Sequence, residues 1–183
     1  MSRRTRQFGW TMAVGLLLTL SVPCRADGPS KEQLVKAAFI YNFTQFVDWP
    51  PEAFDKDDSP LIVAMIGDDS LAGALDKAME NKTAGTRPIV VKHFATLDDL
   101  GPCHLLFVPS SQDSNLAALF DKIKGKPILT VGESDAFMPA GGTMHLFLED
   151  GKMRFEVSSD AFDANKLHPS AKLMSLARIF KKN

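Results

Sequence analysis

The sequence predicts an α/β fold: a three-layer sandwich whose mostly parallel sheet carries helices on both faces, with an antiparallel hairpin at its C-terminal edge. Three observations support that expectation. Leu61–Ile66 and Leu105–Val108 are continuous apolar runs of strand length, the pattern of strands covered on both faces. Segments with helical spacing alternate with such runs through the first two thirds of the chain. Asp150-Gly151 then separates two alternating segments, a strong short-range hairpin signal.

The most apolar helical stretch comes first, residues 34–50, LVKAAFIYNFTQFVDWP. Leu34, Ala38 and Tyr41 form one stripe, Val35, Phe39 and Phe46 a second, and Ile40, Phe43 and Val47 a third. Only Glu32, Lys36, Asn42 and Gln45 leave a polar strip, so the helix must be covered by its own sheet or by a partner. Trp49-Pro50-Pro51 ends it, because the residue before proline is pushed out of the α region. Its Phe39, Phe43 and Phe46 edge, with Phe137 and Met138, is the expected surface for association, against the plainer reading of a core helix.

After the strand at Leu61–Ile66, Gly67-Asp68-Asp69-Ser70 opens a helix through Leu71, Ala74, Leu75, Ala78 and Met79, with Asp68 or Asp69 as its N-cap. Residues 88–91 read as a second strand and Leu105–Val108 as a third. A helix with Leu116, Leu119, Phe120 and Ile123 inward closes at Gly125. Residues 127–131 make the fourth strand, and the order to this point is that of a doubly wound or flavodoxin-like sheet. The hairpin pairs residues 143–148 with 152–157, and residues 170–180 read as a final amphipathic helix.

The first 26 residues read as a cleaved secretory leader. Arg3, Arg4 and Arg6 precede a short apolar run, and Cys24-Arg25-Ala26 offers a cleavage site. That run is shorter than the ~20 residues of a membrane span, so export without membrane insertion is expected. Residues 27–183 are then one domain. The leader holds four of the 21 Lys+Arg and no acidic residue, which leaves 17 against 22 Asp+Glu, a net charge near −5. Such a balance argues against nucleic acid, whose binding is dominated by phosphate neutralisation. Cys24 departs with the leader, so Cys103 stands alone, either buried and inert or an exposed thiol able to join two chains.

No nucleophile elbow, Walker loop, dinucleotide glycine pattern or zinc spacing is present, and neither an enzyme nor a cofactor is expected. Four residues are candidates for holding a small ligand. Asp68 lies in a loop that opens a helix, where free amides suit an anion, although its own carboxylate and that of Asp69 oppose one. Ser110 follows the third strand, on the crevice side of open α/β sheets. His145 and Arg154 share the hairpin's polar face with Glu156 and are expected to lie close together, Arg154 gripping a carboxylate or phosphate. The plainer reading is an Arg154–Glu156 surface pair beside a solvated His145.

LVKAAFIYNFTQFVDWP, IVAMIGDDSLAGAL, CHLLFVPSS, KPILTVGESDAF, GGTMHLFLEDGKMRFEV and SAKLMSLARIF, in this order and spacing, resemble the YfiR family (YfiR/HmsC-like) of periplasmic regulators. The resemblance implies a non-enzymatic periplasmic protein, commonly dimeric, that binds the periplasmic domain of an inner-membrane diguanylate cyclase and holds it inactive. Release by an outer-membrane lipoprotein or by redox state would raise cyclic-di-GMP and favour biofilm. Some members are associated with aromatic or nucleotide ligands, so a small-ligand sensor without a cyclase partner is the alternative. Members often have a first-strand cysteine able to pair with the one at the Cys103 position; the first-strand position here is Ala64, which places an intrachain redox switch in doubt.

Overall fold

The computed structural model describes residues 28–67 and 70–181. The leader and Asp68 lie outside the described residues. The first helix, α1 (Lys31–Phe46), starts at a capping box in which the Ser30 hydroxyl accepts from Gln33 N–H and the Gln33 side chain accepts from Ser30 N–H. It buries Ala37, Ile40, Phe43 and Thr44, and Val47 continues that side. The stripe of Ile40, Phe43 and Val47 is thus the one the chain covers itself, while Leu34 remains 43% exposed. The chain leaves α1 through β1 (Val47–Asp48), a 3₁₀ turn at Pro51–Ala53 and a polar segment.

The remaining elements follow as β2 (Leu61–Ile66), α2 (Ala72–Met79), β3 (Thr83–Ala84), β4 (Arg87–Phe94) and β5 (Leu105–Val108). A 3₁₀ turn leads into α3 (Leu116–Ile123), then β6 (Leu129–Gly132), α4 (Phe137–Ala140), β7 (Met144–Glu149) and β8 (Lys152–Val157). The chain closes with α5 (Ser159–Ala164), β9 (His168–Pro169), α6 (Ala171–Leu176) and β10 (Arg178–Ile179).

Eight strands form one sheet in the order β10-β8-β7-β6-β5-β2-β4-β3, and β1 pairs antiparallel with β9 outside it. The run β4-β2-β5-β6-β7 is parallel throughout. Taken in chain order these strands lie 2-1-3-4-5, the flavodoxin-like arrangement. The hairpin β7–β8 is antiparallel, with His145 opposite Glu156 and Phe147 opposite Arg154. Its turn works because Asp150 (φ 51°) and Gly151 (φ 69°) both take the left-handed conformation such two-residue loops require.

Helices cover both sides, which explains the unbroken apolar strands. Leu61, Val63 and Met65 of β2, and Leu105 and Phe107 of β5, pack with α1, α2, α5 and α6. Ala64, Ile66, Leu106 and Val108 face the other way, onto α3 and α4. The ring of Phe137 fills the space that a side chain at Gly132 or Gly142 would occupy.

Two elements differ from expectation: α1 ends at Phe46, before Trp49, because Val47–Asp48 pair with β9, and the last helix is shorter. Residues 170–180 are not a single helix: α6 ends at Leu176, and Arg178–Ile179 pair parallel with β8 as the sheet's outermost strand. An unpaired β8 would present a row of open backbone groups, and covering them outweighs two more helical residues. The hairpin is therefore one strand in from the edge.

Candidate functional site

The described residues offer three polar centres and one apolar surface. At the carboxyl end of β6, Glu133 joins three elements. Its Oε2 accepts from Lys36 Nζ of α1 at 2.7 Å, and its Oε1 accepts from the backbone N–H of Ser110 at 3.3 Å. Lys36 also meets Glu32 at 3.0 Å. Burial opposes the Lys36 charge, but its bonds to Glu133 and Glu32 outweigh that and hold its pKa above 10.5. Ser110 therefore does stand at the carboxyl end of the third main strand, beside a carboxylate already occupied by a lysine. Carboxylates are poor company for an anionic ligand.

The hairpin holds the second centre. His145 is buried, and its Nδ1 lies 2.9 Å from Glu156 Oε1. Glu156 Oε2 accepts from Arg178 Nε at 3.0 Å, and the Arg178 guanidinium lies 4.1 Å from the Phe147 ring centre. Arg154, expected beside His145, instead lies across from Phe147, exposed, with Glu149 at 3.9 Å. The register separates the expected pair, and Arg178 takes the partner role. Sequence reasoning missed Arg178 because its spacing also continues the preceding helix; only the open edge of β8 recruits it.

The third centre sits at the opposite, amino-terminal end of the strands. His104 is buried there, with Phe54 stacked on its ring at 4.4 Å. A cavity of about 500 Å³ opens beside it, lined among others by Phe54, Ile62, Cys103, Lys126 and Ile128. Cys103 is buried, and burial pushes its thiol up to about 12, with Lys126 and Lys92 pulling weakly the other way. A thiol so held is protonated and poorly nucleophilic at neutral pH. Position 64 stands opposite Leu106, not Cys103. Three residues separate the two, roughly 10 Å of strand, beyond the ~7 Å between Cα atoms that a disulfide spans. Even a cysteine at Ala64 would not pair with Cys103 in this register.

The residues expected to form an associating surface divide between core and half-buried positions. Phe43, Phe137 and Met138 are inside the chain's own core, and Phe39 and Phe46 are half-buried, with Phe39 edge-on to Phe43 and Phe155. The large aliphatic side chains that do reach solvent are Leu34, Val90, Leu148, Leu176 and Ile179. Three of these five, Leu148, Leu176 and Ile179, belong to the hairpin, α6 and β10, at one end of the sheet. Among the described residues no group of three or more His, Cys, Asp or Glu side chains could hold a metal ion, and no helix is long and apolar enough to cross a membrane.

A mostly parallel sheet flanked by helices, with an antiparallel hairpin near its C-terminal end, defines an α/β domain whose polar centres pair internally. The chain belongs to the YfiR/HmsC-like family, whose model matches residues 33–178. Proteins of that family are non-catalytic and periplasmic, and this chain is a periplasmic protein with a regulatory role and no enzymatic one. No curated protein matches it.

Proposed function

We propose that this protein binds the periplasmic domain of an inner-membrane diguanylate cyclase and represses it, lowering cyclic-di-GMP and biofilm formation. The observation that carries the reading is the extent of the family match, from Gln33 in α1 to Arg178 in β10, which takes in every strand of the sheet except the last residue of β10. Residues 1–26 are removed on export, and residues 27–183 act as one domain. A homodimer and an outer-membrane lipoprotein that relieves repression belong to the same proposal.

The surface that suits such a partner is less the aromatic edge, largely buried, than the aliphatic residues Leu148, Leu176 and Ile179 at the hairpin end of the sheet. Leu176, at 68% exposed, is the side chain whose change disturbs the core least. Cyclic-di-GMP is expected to rise on deletion of the gene, and to stay raised when Leu176→Asp or Leu148→Asp replaces the native chain. Deletion without a rise would sink the cyclase reading; full repression by both variants would remove this surface from it.

A second reading, a small-ligand sensor, is favoured by the cavity beside His104. Flat calorimetric titrations with nucleotides and aromatic amino acids would discard it.

A further inference from the structure

His104 joins the amino-terminal end of the sheet to segment 51–60. Its Nδ1 accepts from the backbone N–H of Ile62 at 2.9 Å, and its Nε2–H donates to the carbonyl of Ala53 at 3.0 Å. An N–H only donates and a carbonyl only accepts, so this pair demands the neutral ring with its proton on Nε2. Phe54 stacks on that ring, and Arg87 lies over Phe54 at 3.7 Å while its Nη1 donates to the carbonyls of Lys56 and Ser59. Segment 51–60 is therefore held down mainly by one imidazole and one guanidinium, beside a loose exposed contact of Glu52 with Lys166 at 3.8 Å, and the cavity of about 500 Å³ lies behind it.

The geometry points to a proton-operated flap: protonation of His104 frees the Ala53–Phe54 part of segment 51–60, with the end at Lys56 and Ser59 still tied to Arg87, and opens the cavity beneath it. A proton on Nδ1 would face the Ile62 N–H, donor against donor, at 2.9 Å. The ring must turn away, and its bond to Ala53 and its stack on Phe54 go with it. The sheet itself is untouched. The His104 backbone keeps its own bonds, N–H to Ile62 O and carbonyl to Leu129 N–H, each at 2.8 Å, and Trp49 Nε1–H also donates to that carbonyl at 3.0 Å.

The charged and titratable groups around the ring set the range of the switch. Segment 51–60 contributes Glu52 and Asp55, β4 contributes Arg87, and the stretch before β5 contributes Cys103. Lys122 and Lys126 line the far side of the cavity, Lys122 already bonded to the carbonyls of Leu97 and Asp98. Burial opposes protonation most; the Ala53 bond favours it, Arg87 opposes it and Asp55 favours it, and together they place the His104 pKa below 6.5. The flap is shut at neutral pH and opens in acid. This holds whether or not a cyclase is the partner.

Cys103 lines the cavity and is the one cysteine of the chain from Asp27 on, so its labelling reports the opening. That chain would be treated with 4,4′-dithiodipyridine at pH 7.5 and 5.0, each rate normalised to the urea-unfolded protein at the same pH. The normalised rate is expected to rise on acidification, by up to about tenfold per pH unit once His104 titrates. In His104→Gln, whose amide can accept and donate but does not titrate, it is expected to stay level. A level rate in the native chain, or an equal acid rise in the variant, would overturn the flap. Should the variant not fold, the native chain still decides. Imidazole NMR shifts of His104 and amide-exchange protection of residues 51–60 must change over the same pH range, and unchanged protection while the ring titrates overturns the proposal.

Discussion

Phe137 and Gly132 share one space: the ring of the first occupies the volume into which a Cβ on the second would project. Phe137 is 1% exposed, wedged between the end of β6 and Gly142 at the entry to β7. An apolar dipeptide after a strand reads equally well as a surface for a partner. Here it locks α4 onto the sheet.

Phe137→Ala is accordingly expected to destabilise the fold by about 3–5 kcal/mol, the range for emptying a buried aromatic site. Gly132→Ala should cost about 1–3 kcal/mol by overpacking against the same ring. Urea denaturation of both variants checks this. A Phe137→Ala protein of native stability would return the residue to the surface.

Glu156 connects the buried His145 to the terminal strand, so Glu156→Ala removes two interactions at once. Losing the buried hydrogen bond is expected to cost about 2 kcal/mol. The Arg178 half is largely solvent-screened and adds less than about 1 kcal/mol. Arg178→Ala should therefore be the milder change, measured by thermal denaturation, with faster amide exchange confined to β10. Equal losses in the two variants would mean that the strand, not His145, carries the cost.

Two groups give stability opposite dependences on pH. His104 titrates lower in the folded chain than its ordinary 6.5, so the unfolded chain binds the extra proton more readily. The contribution is complete above pH 6.5 and is lost as pH falls through the folded value. Lys36 titrates above 10.5, so its contribution is complete below that pH and is lost as pH rises through the folded value. Denaturation midpoints followed from pH 4 to 8 should fall on the acid side for the native chain, and less for His104→Gln. For Lys36→Met, partly exposed as the lysine is, a loss of about 1 kcal/mol at pH 7 is expected.

Cys103, protonated by burial, is expected to react with thiol reagents at pH 7.5 at least ~100-fold more slowly than in urea. Cellular cyclic-di-GMP should respond to mild oxidants equally in the native chain and in Cys103→Ala. A response lost in Cys103→Ala would make the thiol a sensor after all.

Much of the fold was legible locally. The runs at Leu61–Ile66 and Leu105–Val108 became strands at those bounds, because apolar side chains on both faces leave a short segment few alternatives. The Asp150-Gly151 turn was equally plain, since few other pairs accept two left-handed residues. The sites were less legible. His145 and Arg154 were placed on one face by alternation, and alternation held, yet the pairing register set Glu156 against one and Phe147 against the other.

The sequence by itself determined the alternation of strands and helices, the hairpin, Cys103 as the one cysteine beyond residue 26, and the family, because those are properties of spacing and of residue type. Only the tertiary structure decided which stripe of α1 is covered, that Phe43, Phe137 and Met138 are core, that Arg178–Ile179 form a strand, and that His104 bridges Ile62 and Ala53. The physical reason is the same in each case. Covering an apolar stripe, closing an open strand edge and satisfying a buried imidazole all depend on atoms supplied from elsewhere in the chain, and no local pattern records where those atoms will be.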